Sequence, residues 1–422
     1  MPKRTYITSD RFIRQRLNSD QAEMVNFKLS KPYNPFEPSR DPKKRAYTDA
    51  LCRVLFNESQ TMLYSQPIFP TTLPARKKIK ICASKDTMSI ENLAILDAPN
   101  IHNDFYINSL AWSNYKLIYL TLFNEIYSYN TESKAIKLAA KLTSDVTTEY
   151  FTSINVAKSQ YWHAATSNGQ LWTFDINNNH ILKNITLLNA SKAYVIQPTQ
   201  NEHILYAAGD DNQTYCYDLR IPNPLCYTLA QGQDSTLKIS GLSYNDENLV
   251  ATGSQSLVNI WDIRRLDHPH CSMTRHNASV KALQFHPTNT HVIASGGGNG
   301  DGSIRIWDAN NGSEKVKIDT DSQVTSVLWS YSSPNHLIST HGYSSNQVAL
   351  WNVTNTSNPT QVNVQKTPHT DRVLCAAKEP QSDMFATVSA DESLRLWKPA
   401  FSIKPKKTES KPSIFNRSPT IR

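Results

Sequence analysis

The stretch Ile304-Arg305-Ile306-Trp307-Asp308 decides the fold of this chain. It alternates apolar and polar side chains, which is the pattern of a β-strand, and it ends in Trp followed by Asp. Closely similar copies are Val258-Asn259-Ile260-Trp261-Asp262 and Leu394-Arg395-Leu396-Trp397. A pattern that returns at a fixed spacing indicates a fold made of repeated units.

The aromatic position of this pattern occurs seven times, at intervals of 43 to 46 residues, at Tyr129, Phe174, Tyr217, Trp261, Trp307, Trp351 and Trp397. Such a period with Trp-Asp endings is typical of WD repeats, in which each repeat forms a four-stranded blade. One blade cannot bury both of its faces, so the blades must stack until the ring closes. We therefore predict an all-β fold, a seven-bladed WD-repeat β-propeller.

Charge divides the chain into three parts. Residues 1–94 hold 17 Lys and Arg against 9 Asp and Glu, residues 95–397 hold 20 against 26, and residues 398–422 hold 7 against 1. We predict a disordered basic N-terminal arm over 1–94, the propeller over 95–400, and a disordered basic C-terminal tail over 401–422. An acidic middle would repel phosphate, so nucleic acid is not expected as a partner.

The composition argues against a membrane protein, a secreted protein and a zinc-binding protein. No apolar run is long enough for a membrane span, and Met1-Pro2-Lys3-Arg4 leads into no apolar signal segment. The six cysteines show no CxxC spacing, so we expect thiols in a reducing compartment rather than disulfides or a zinc framework. We expect a monomer with no membrane partner, no cofactor and no metal.

Three groups of residues could be read as chemical sites. His369, Thr387, Asp391 and Trp397 could be taken for a catalytic set, but their spacing follows the blade, which favours a structural hydrogen-bond set. Gly296–Gly302 lacks the Lys-Ser/Thr of a phosphate loop, and a predicted strand follows it. His268, His270, Cys271 and His276 lack a second ligand cluster. We therefore predict that the protein is not an enzyme.

Several stretches of the propeller resemble the fizzy and fizzy-related family, the activators of the anaphase-promoting complex, which is a ubiquitin ligase. They are Ile95–Pro99, Asn103–Asn108, Trp112-Ser113, Ser295–Gly298, Ser322–Val324, Thr340–Tyr343, Asn346–Val348 and Asp391–Trp397. The resemblance implies a coactivator that presents degron-bearing cell-cycle proteins, such as cyclins, for ubiquitination. The alternative is a WD-repeat protein that occupies the ligase or scaffolds partners without activating it.

The two arms carry the most specific parts of the resemblance. Residues 10–16 are similar to the family's C-box, with Arg14 in place of its Pro, and the chain ends in the family's Ile-Arg pair. The residues implied in docking on helical-repeat subunits of the ligase are Asp10, Arg11, Phe12, Ile13, Arg16, Ile421 and Arg422. Phe105, Tyr47–Leu51 and Ser413–Phe415 resemble the fizzy-related branch.

The resemblance also implies two degron pockets. One, between the first and last blades, holds the Arg of a destruction box with two acids. Glu392 matches one acid, and Ala111 stands where the other is expected. The second pocket reads KEN-type degrons. Gln323 and Arg372 match it, whereas Ser254 and Ser256 replace two Asn residues. The sequence therefore predicts weakened reading of destruction boxes.

The sequence also gives expectations about regulation by kinases and about location in the cell. None of the prolines in residues 1–94 follows Ser or Thr, so this arm lacks the sites of a cyclin-dependent kinase, and the tail has one, at Ser418. The protein should therefore work while kinase activity is high, as in meiosis. Basic clusters at residues 76–80 and 404–407 predict residence in the nucleus as well as the cytoplasm.

Overall fold

The computed structural model describes residues 88–401, apart from 143–148, 159, 191, 231–236, 246–247, 344, 355–358 and 367. Within these residues, 28 strands form seven antiparallel sheets of four strands each. This confirms the predicted seven-bladed propeller. The N-terminal arm before residue 88 and the tail after residue 401, including the C-box-like motif and the Ile-Arg end, lie outside the described residues.

Six blades are built from four consecutive strands. Blade 1 contains β2 (Leu110–Trp112), β3 (Leu117–Leu122), β4 (Glu125–Asn130) and β5 (Ile136–Lys141). Blade 2 contains β6 (Phe151–Val156), β7 (Tyr161–Thr166), β8 (Gln170–Asp175) and β9 (Ile181–Thr186). Blade 3 contains β10 (Ala193–Pro198), β11 (Ile204–Gly209), β12 (Gln213–Asp218) and β13 (Leu225–Ala230). A short 3₁₀ turn, Leu188–Ala190, joins blades 2 and 3.

The next three blades follow the same order. Blade 4 contains β14 (Gly241–Tyr244), β15 (Leu249–Gly253), β16 (Val258–Asp262) and β17 (Cys271–Met273). Blade 5 contains β18 (Val280–Phe285), β19 (Val292–Gly297), β20 (Ser303–Asp308) and β21 (Glu314–Asp319). Blade 6 contains β22 (Val324–Trp329), β23 (His336–His341), β24 (Val348–Asn352) and β25 (Thr360–Gln365).

Blade 7 closes the ring with strands from both ends of the described chain. It contains β26 (Val373–Lys378), β27 (Phe385–Ser389), β28 (Ser393–Phe401) and, as its outermost strand, β1 (Met88–Asp97). β1 runs antiparallel to β28, with Met88 opposite Phe401 and Asp97 opposite Ser393. The described part of the propeller thus includes residues 88–94, which precede the expected boundary at residue 95 and lie outside the repeated pattern.

The repeated aromatic residues occupy one structural position. All seven lie in the third strand of their blade, as the periodicity predicts. In blade 7, Trp397 Nε1 donates to Thr387 Oγ1 at 2.8 Å, and His369 bonds the same hydroxyl at 2.8 Å and Asp391 at 3.0 Å. This confirms the structural reading of the four residues. Blade 5 repeats the arrangement with His276, Ser295, Asp301 and Trp307.

The first strands of the blades surround a central cavity of about 500 Å³, and the fourth strands form the rim. Among the described residues, no helix has the length and apolar character that crossing a membrane requires.

Candidate functional site

Most of the predicted degron-binding residues lie on loops at one end of the propeller. Strands alternate in direction, so the turns between second and third strands share this end with the loops that join one blade to the next. We call it the upper face. The loops before β22 and β26 carry Gln323 and Arg372, and the turn before β28 carries Glu392. Ser254 and Ser256 lie in the turn before β16, where Ser254 is buried and Ser256 is exposed.

Residues 98–109 cross the upper face before entering blade 1. Apolar side chains anchor this crossing segment: Phe105 and Ile107 are both buried. The Tyr106 hydroxyl lies 3.3 Å from Ser279 Oγ, in the loop that enters blade 5. Asn108 Nδ2 donates to the carbonyl of Tyr194 in blade 3, at 2.9 Å. The segment is therefore fixed to several blades at once.

A buried lysine holds the crossing segment from below. Lys281 is 5% exposed, and its ammonium donates to the carbonyls of Ile107 at 2.7 Å and of Leu374, in β26, at 2.8 Å. The ammonium also lies 5.6 Å from the centre of the Phe105 ring. Burial lowers the pKa of Lys281 to about 8. The two carbonyls satisfy a cation that would be costly to bury alone.

The structure brings Arg372 and Gln323 together. Arg372 Nε donates to Asn103 Oδ1 at 2.6 Å, and Nη2 donates to the Asn103 carbonyl at 2.7 Å. The guanidinium carbon also lies 5.2 Å from the centre of the Tyr343 ring. These contacts fix the guanidinium in one orientation and leave some of its five N–H groups for a ligand.

Gly342 allows this close approach. A β-carbon at this position would lie 2.4 Å from Gln323 Oε1 and 3.4 Å from the Arg372 β-carbon. Gln323 Oε1 is buried and has no hydrogen-bond partner within the described part of the chain. A buried amide oxygen without a partner is costly, and a bound ligand that donates to it would remove that cost.

Glu392 borders a groove between blades 1 and 7. Its carbonyl accepts from the amide of Ala98 at 2.7 Å, and its Oε1 accepts from the amide of Asn100 at 3.2 Å. The groove has a volume of about 790 Å³, and the residues Pro99–Asn103 form one wall. Apolar side chains form much of the remainder, among them Leu96, Leu120, Phe123, Tyr127 and Leu394. An extended peptide with one basic and one apolar side chain fits this chemistry.

Ala111 does not complete an acidic pair with Glu392. It is 5% exposed and packs with Tyr119 and Trp162 in the core between blades 1 and 2. Its neighbour Trp112, which points the opposite way, packs in the core shared with blade 7. Successive side chains of a strand face opposite sides, so position 111 is turned away from the groove. The expectation that the change at 111 removes half of the charge from the Arg pocket stays a prediction.

The histidines singled out in the sequence do not come together: His268 and His270 lie between β16 and β17, on the opposite face, whereas His276 lies in the loop that enters blade 5. His268 bonds its neighbour Asp267, and His270 Nε2 bonds the carbonyl of Asn310. His276 belongs to the hydrogen-bond set of blade 5. Across the described residues, no group of three or more His, Cys, Asp or Glu side chains is close enough to hold a metal ion.

Sequence reasoning missed the residues that organise the face. Asn103 and Tyr343 stand within the stretches that resemble the family, but nothing in their spacing reveals that both contact Arg372. Lys281 occupies an inward position of a strand, where a charged residue is unusual. That anomaly was the one available signal for its role.

Comparison with known proteins agrees with this architecture. The sequence profile of the CDC20/Fizzy WD40 domain matches residues 96–397. The chain is 29% identical to the WD repeat-containing protein slp1 of Schizosaccharomyces pombe, over 92% of this chain and 78% of slp1. It is 31% identical to the anaphase-promoting complex subunit cdc20 of Dictyostelium discoideum, over 72% of this chain and 59% of that protein.

Two further similarities concern a meiotic relative and a solved structure. The chain is 31% identical to meiotic fizzy-related protein 1 of Schizosaccharomyces pombe, over 74% of this chain and 71% of that protein. A chain of the crystal structure of the mitotic checkpoint complex superposes with a TM-score of 0.68 at 28% identity, covering 80% of this chain and 100% of the other. The profile match extends over most of the sequence, from the first blade to the last, and the chain therefore belongs to the CDC20/Fizzy WD40 family.

Proposed function

We propose that this protein is a coactivator of the anaphase-promoting complex that binds degrons on its upper face and performs no catalysis itself. Relatives that carry the name of this complex or of a meiotic fizzy-related protein support the assignment. The observation that carries it is the convergence of Arg372 and Gln323, where an oriented guanidinium lies beside a buried amide oxygen that has no partner among the described residues.

The Arg372–Gln323 site suits a short polar motif that contains a carboxylate. The free N–H groups of Arg372 would bind the carboxylate, since guanidinium and carboxylate form charge-assisted hydrogen bonds. Gln323 Oε1 would accept a hydrogen bond from an amide or ammonium of the same motif. A KEN-type degron offers all of these groups, so we assign this site to it.

The groove beside Glu392 suits a destruction box. Glu392 is exposed and would attract the Arg of the degron, while the apolar wall of the groove would bury a neighbouring apolar side chain. Burial of one such side chain contributes about 1.5–3 kcal/mol. With Ala at position 111, Glu392 would be the single carboxylate offered to that Arg, so the reading of destruction boxes is expected to be weakened.

Docking on the ligase is assigned to the two arms. The C-box-like residues 10–16 would place Arg16 on a carboxylate of one ligase subunit, and the Ile421-Arg422 end would be held by a second subunit.

We also propose that the protein resides in the nucleus as well as the cytoplasm, because basic clusters lie at residues 76–80 and 404–407. If substituting both clusters with Ala leaves the nuclear signal unchanged, these clusters do not direct the protein to the nucleus and the basis of this proposal is rejected.

Reconstitution with purified ligase tests the proposed function. The full chain should stimulate ubiquitination of a fragment that carries a KEN motif, and Arg372→Ala should reduce that stimulation at least tenfold. Arg264→Ala is the matched control, because Arg264 is an exposed arginine on the opposite face. Equal losses in both variants would contradict the assignment of the site.

The same assay separates the coactivator from a protein that occupies the ligase without presenting substrates. The changes to Ser254 and Ser256 at expected Asn positions favour this second candidate, because shorter side chains reach fewer ligand groups. A chain of that kind would bind the ligase and suppress ubiquitination driven by another coactivator.

Timing is the finer part of the proposal. The lack of Ser-Pro and Thr-Pro in residues 1–94 favours activity while cyclin-dependent kinases are active, as in meiosis. A phosphate on Ser418 would add nearly two negative charges close to Arg422 and should weaken tail docking. Kinase treatment should therefore weaken ligase binding of the wild type only through the tail, should leave docking by the N-terminal arm unchanged, and should have no effect on Ser418→Ala. Inhibition that persists in Ser418→Ala would contradict the escape from kinase control.

A further inference from the structure

We propose that Pro99–Asn103, which we call the strap, couples the two degron sites, so that a peptide in the groove strengthens binding of a carboxylate motif at Arg372. This inference rests on the proposed function and adds to it a physical link between the two sites. Asn103 is, in this view, a positioning residue: it acts on a ligand through Arg372.

The first end of the strap is held at the groove. Asn100 and Glu392 both have left-handed backbone conformations, with φ of 59° each, and face one another across the junction of blades 1 and 7. The amide of Asn100 donates to Glu392 Oε1, and the amide of Ala98, just before the strap, donates to the Glu392 carbonyl. A single turn residue of blade 7 therefore fixes the start of the strap.

The second end of the strap, Asn103, is held at the Arg372–Gln323 site. Asn103 gives Arg372 two acceptors, its side-chain oxygen and its carbonyl oxygen. This fork-like contact fixes both the position and the plane of the guanidinium. Any displacement of Asn103 must move Arg372 or break two charge-assisted hydrogen bonds, each stronger than a neutral one.

The middle of the strap is a wall of the groove. All five residues from Pro99 to Asn103 line it, and Asn100 and Asn103 are exposed. A peptide in the groove would pack on the strap and add to the contacts that hold Asn100 and Asn103 in place. The part of the cost of holding the strap that one ligand has met does not fall on the next, which produces positive coupling without a large change of shape.

The coupling between the two sites should be positive, and it should act equally in both directions. A groove peptide that fixes the strap holds Arg372 in its bidentate orientation and should lower the Kd of the carboxylate motif about fivefold, at the low end of typical couplings. By linkage, a carboxylate motif at Arg372 must tighten the groove peptide by the same factor.

The decisive experiment uses the full chain and two separate peptides, a labelled KEN peptide and an unlabelled destruction-box peptide. The Kd of the KEN peptide is measured by fluorescence anisotropy without and with a saturating amount of the second peptide. We expect about a fivefold fall in the wild type and in Asn178→Ala, an exposed asparagine on the opposite face. Asn103→Ala removes the side-chain acceptor but keeps the carbonyl, so the effect should fall to less than twofold.

A second pair of variants tests the link without touching the strap. Glu392→Ala removes the acceptor for the Asn100 amide, so it should weaken the KEN peptide roughly threefold, although Glu392 does not contact Arg372. Glu392→Gln retains an oxygen acceptor and should bring KEN binding back to within twofold of wild type. A purely electrostatic role of Glu392 would instead make the two variants alike.

The outcomes separate the inference from the proposed function. If both peptides bind but neither changes the Kd of the other, the coupling is overturned and the two sites stand. If the second peptide weakens the first, the sites overlap and the coupling is again overturned. If neither peptide binds a chain whose thermal unfolding is normal, the proposed function fails and the inference fails with it.

Discussion

The hydroxyl of Thr387 serves two buried partners. It accepts from Trp397 Nε1 and bonds His369 Nε2, and the other ring nitrogen of His369, Nδ1, bonds Asp391. Burial lowers the pKa of His369. Burial alone would raise the pKa of Asp391, but hydrogen bonds from Ser393, Thr370 and His369 outweigh it, and that pKa lies below its usual range. One small polar side chain therefore orders a chain of contacts from the blade interior to its upper turn.

We expect Thr387→Val to lower the free energy of unfolding by about 2–4 kcal/mol, because it leaves two buried groups without a partner at almost constant volume. Urea unfolding followed by tryptophan fluorescence measures the change. Thr274→Val, at an exposed loop position, should change stability by less than about 0.5 kcal/mol. Equal effects would show that the hydroxyl is not the stabilising group.

Lys281 should give the stability a distinctive pH dependence. Its pKa of about 8 in the fold lies below the 10.5 of the unfolded chain, so between these values the unfolded chain binds a proton that the folded chain does not. Stability should therefore rise from pH 8 towards pH 10, by at most roughly 1.4 kcal/mol per pH unit. Thermal unfolding of Lys281→Met should lack this rise. A rise of equal size in that variant would assign it to other groups.

At the scale of elements, β1 is the strand that closes the ring. Ile90 is 3% exposed and packs with Phe385 and Trp397, whereas Ile95, in the same strand, is 55% exposed. We expect Ile90→Ala to destabilise the protein by about 2–4 kcal/mol, because it leaves a cavity where blades 6 and 7 meet. Calorimetry should show Ile95→Ala to be nearly neutral. A small effect of Ile90→Ala would mean that β1 can detach without opening the ring.

The strands also show which features of the structure could be predicted from the sequence and which could not. The spacing of residues such as Trp307 predicts the third strand of each blade, because the period is a property of local sequence. The facing of Ala111 could not be read in the same way, since it depends on which blade each side of β2 meets. The contact between Asn103 and Arg372 joins residues 269 positions apart, and no local pattern carries it.

At the scale of the whole molecule, both arms attach to blade 7. Met88 and Phe401 are opposite each other in the β1–β28 pair, so the N-terminal arm and the tail start from the same edge. When one of two weak docking motifs on the same protein is bound, it raises the effective concentration of the other motif at its own site on the ligase. Under the proposed function, docking of the ligase by the arms would leave the upper face free for substrates.

We expect Arg16→Ala, or deletion of Ile421-Arg422, to weaken ligase binding on the order of 100-fold, since each change removes one of two linked sites. Surface plasmon resonance on immobilised ligase measures this, with Arg264→Ala as the control that keeps wild-type affinity. Loss of both motifs together should leave almost no binding. Strong binding by that double variant would show that the propeller, and not the two arms, provides most of the affinity for the ligase.

The shared starting edge turns the tail into a tether of limited radius. Twenty-one residues follow Phe401, and a fully extended chain of that length spans about 70 Å. If the Ile-Arg end is held on the ligase as proposed, Phe401 must stay within that distance of it. β28 runs from Ser393 at the upper face to Phe401 at the opposite end of the blade. The tail would therefore hold the propeller from the end of blade 7 that lies away from the degron sites, and a substrate on the upper face would be offered on the side away from that attachment.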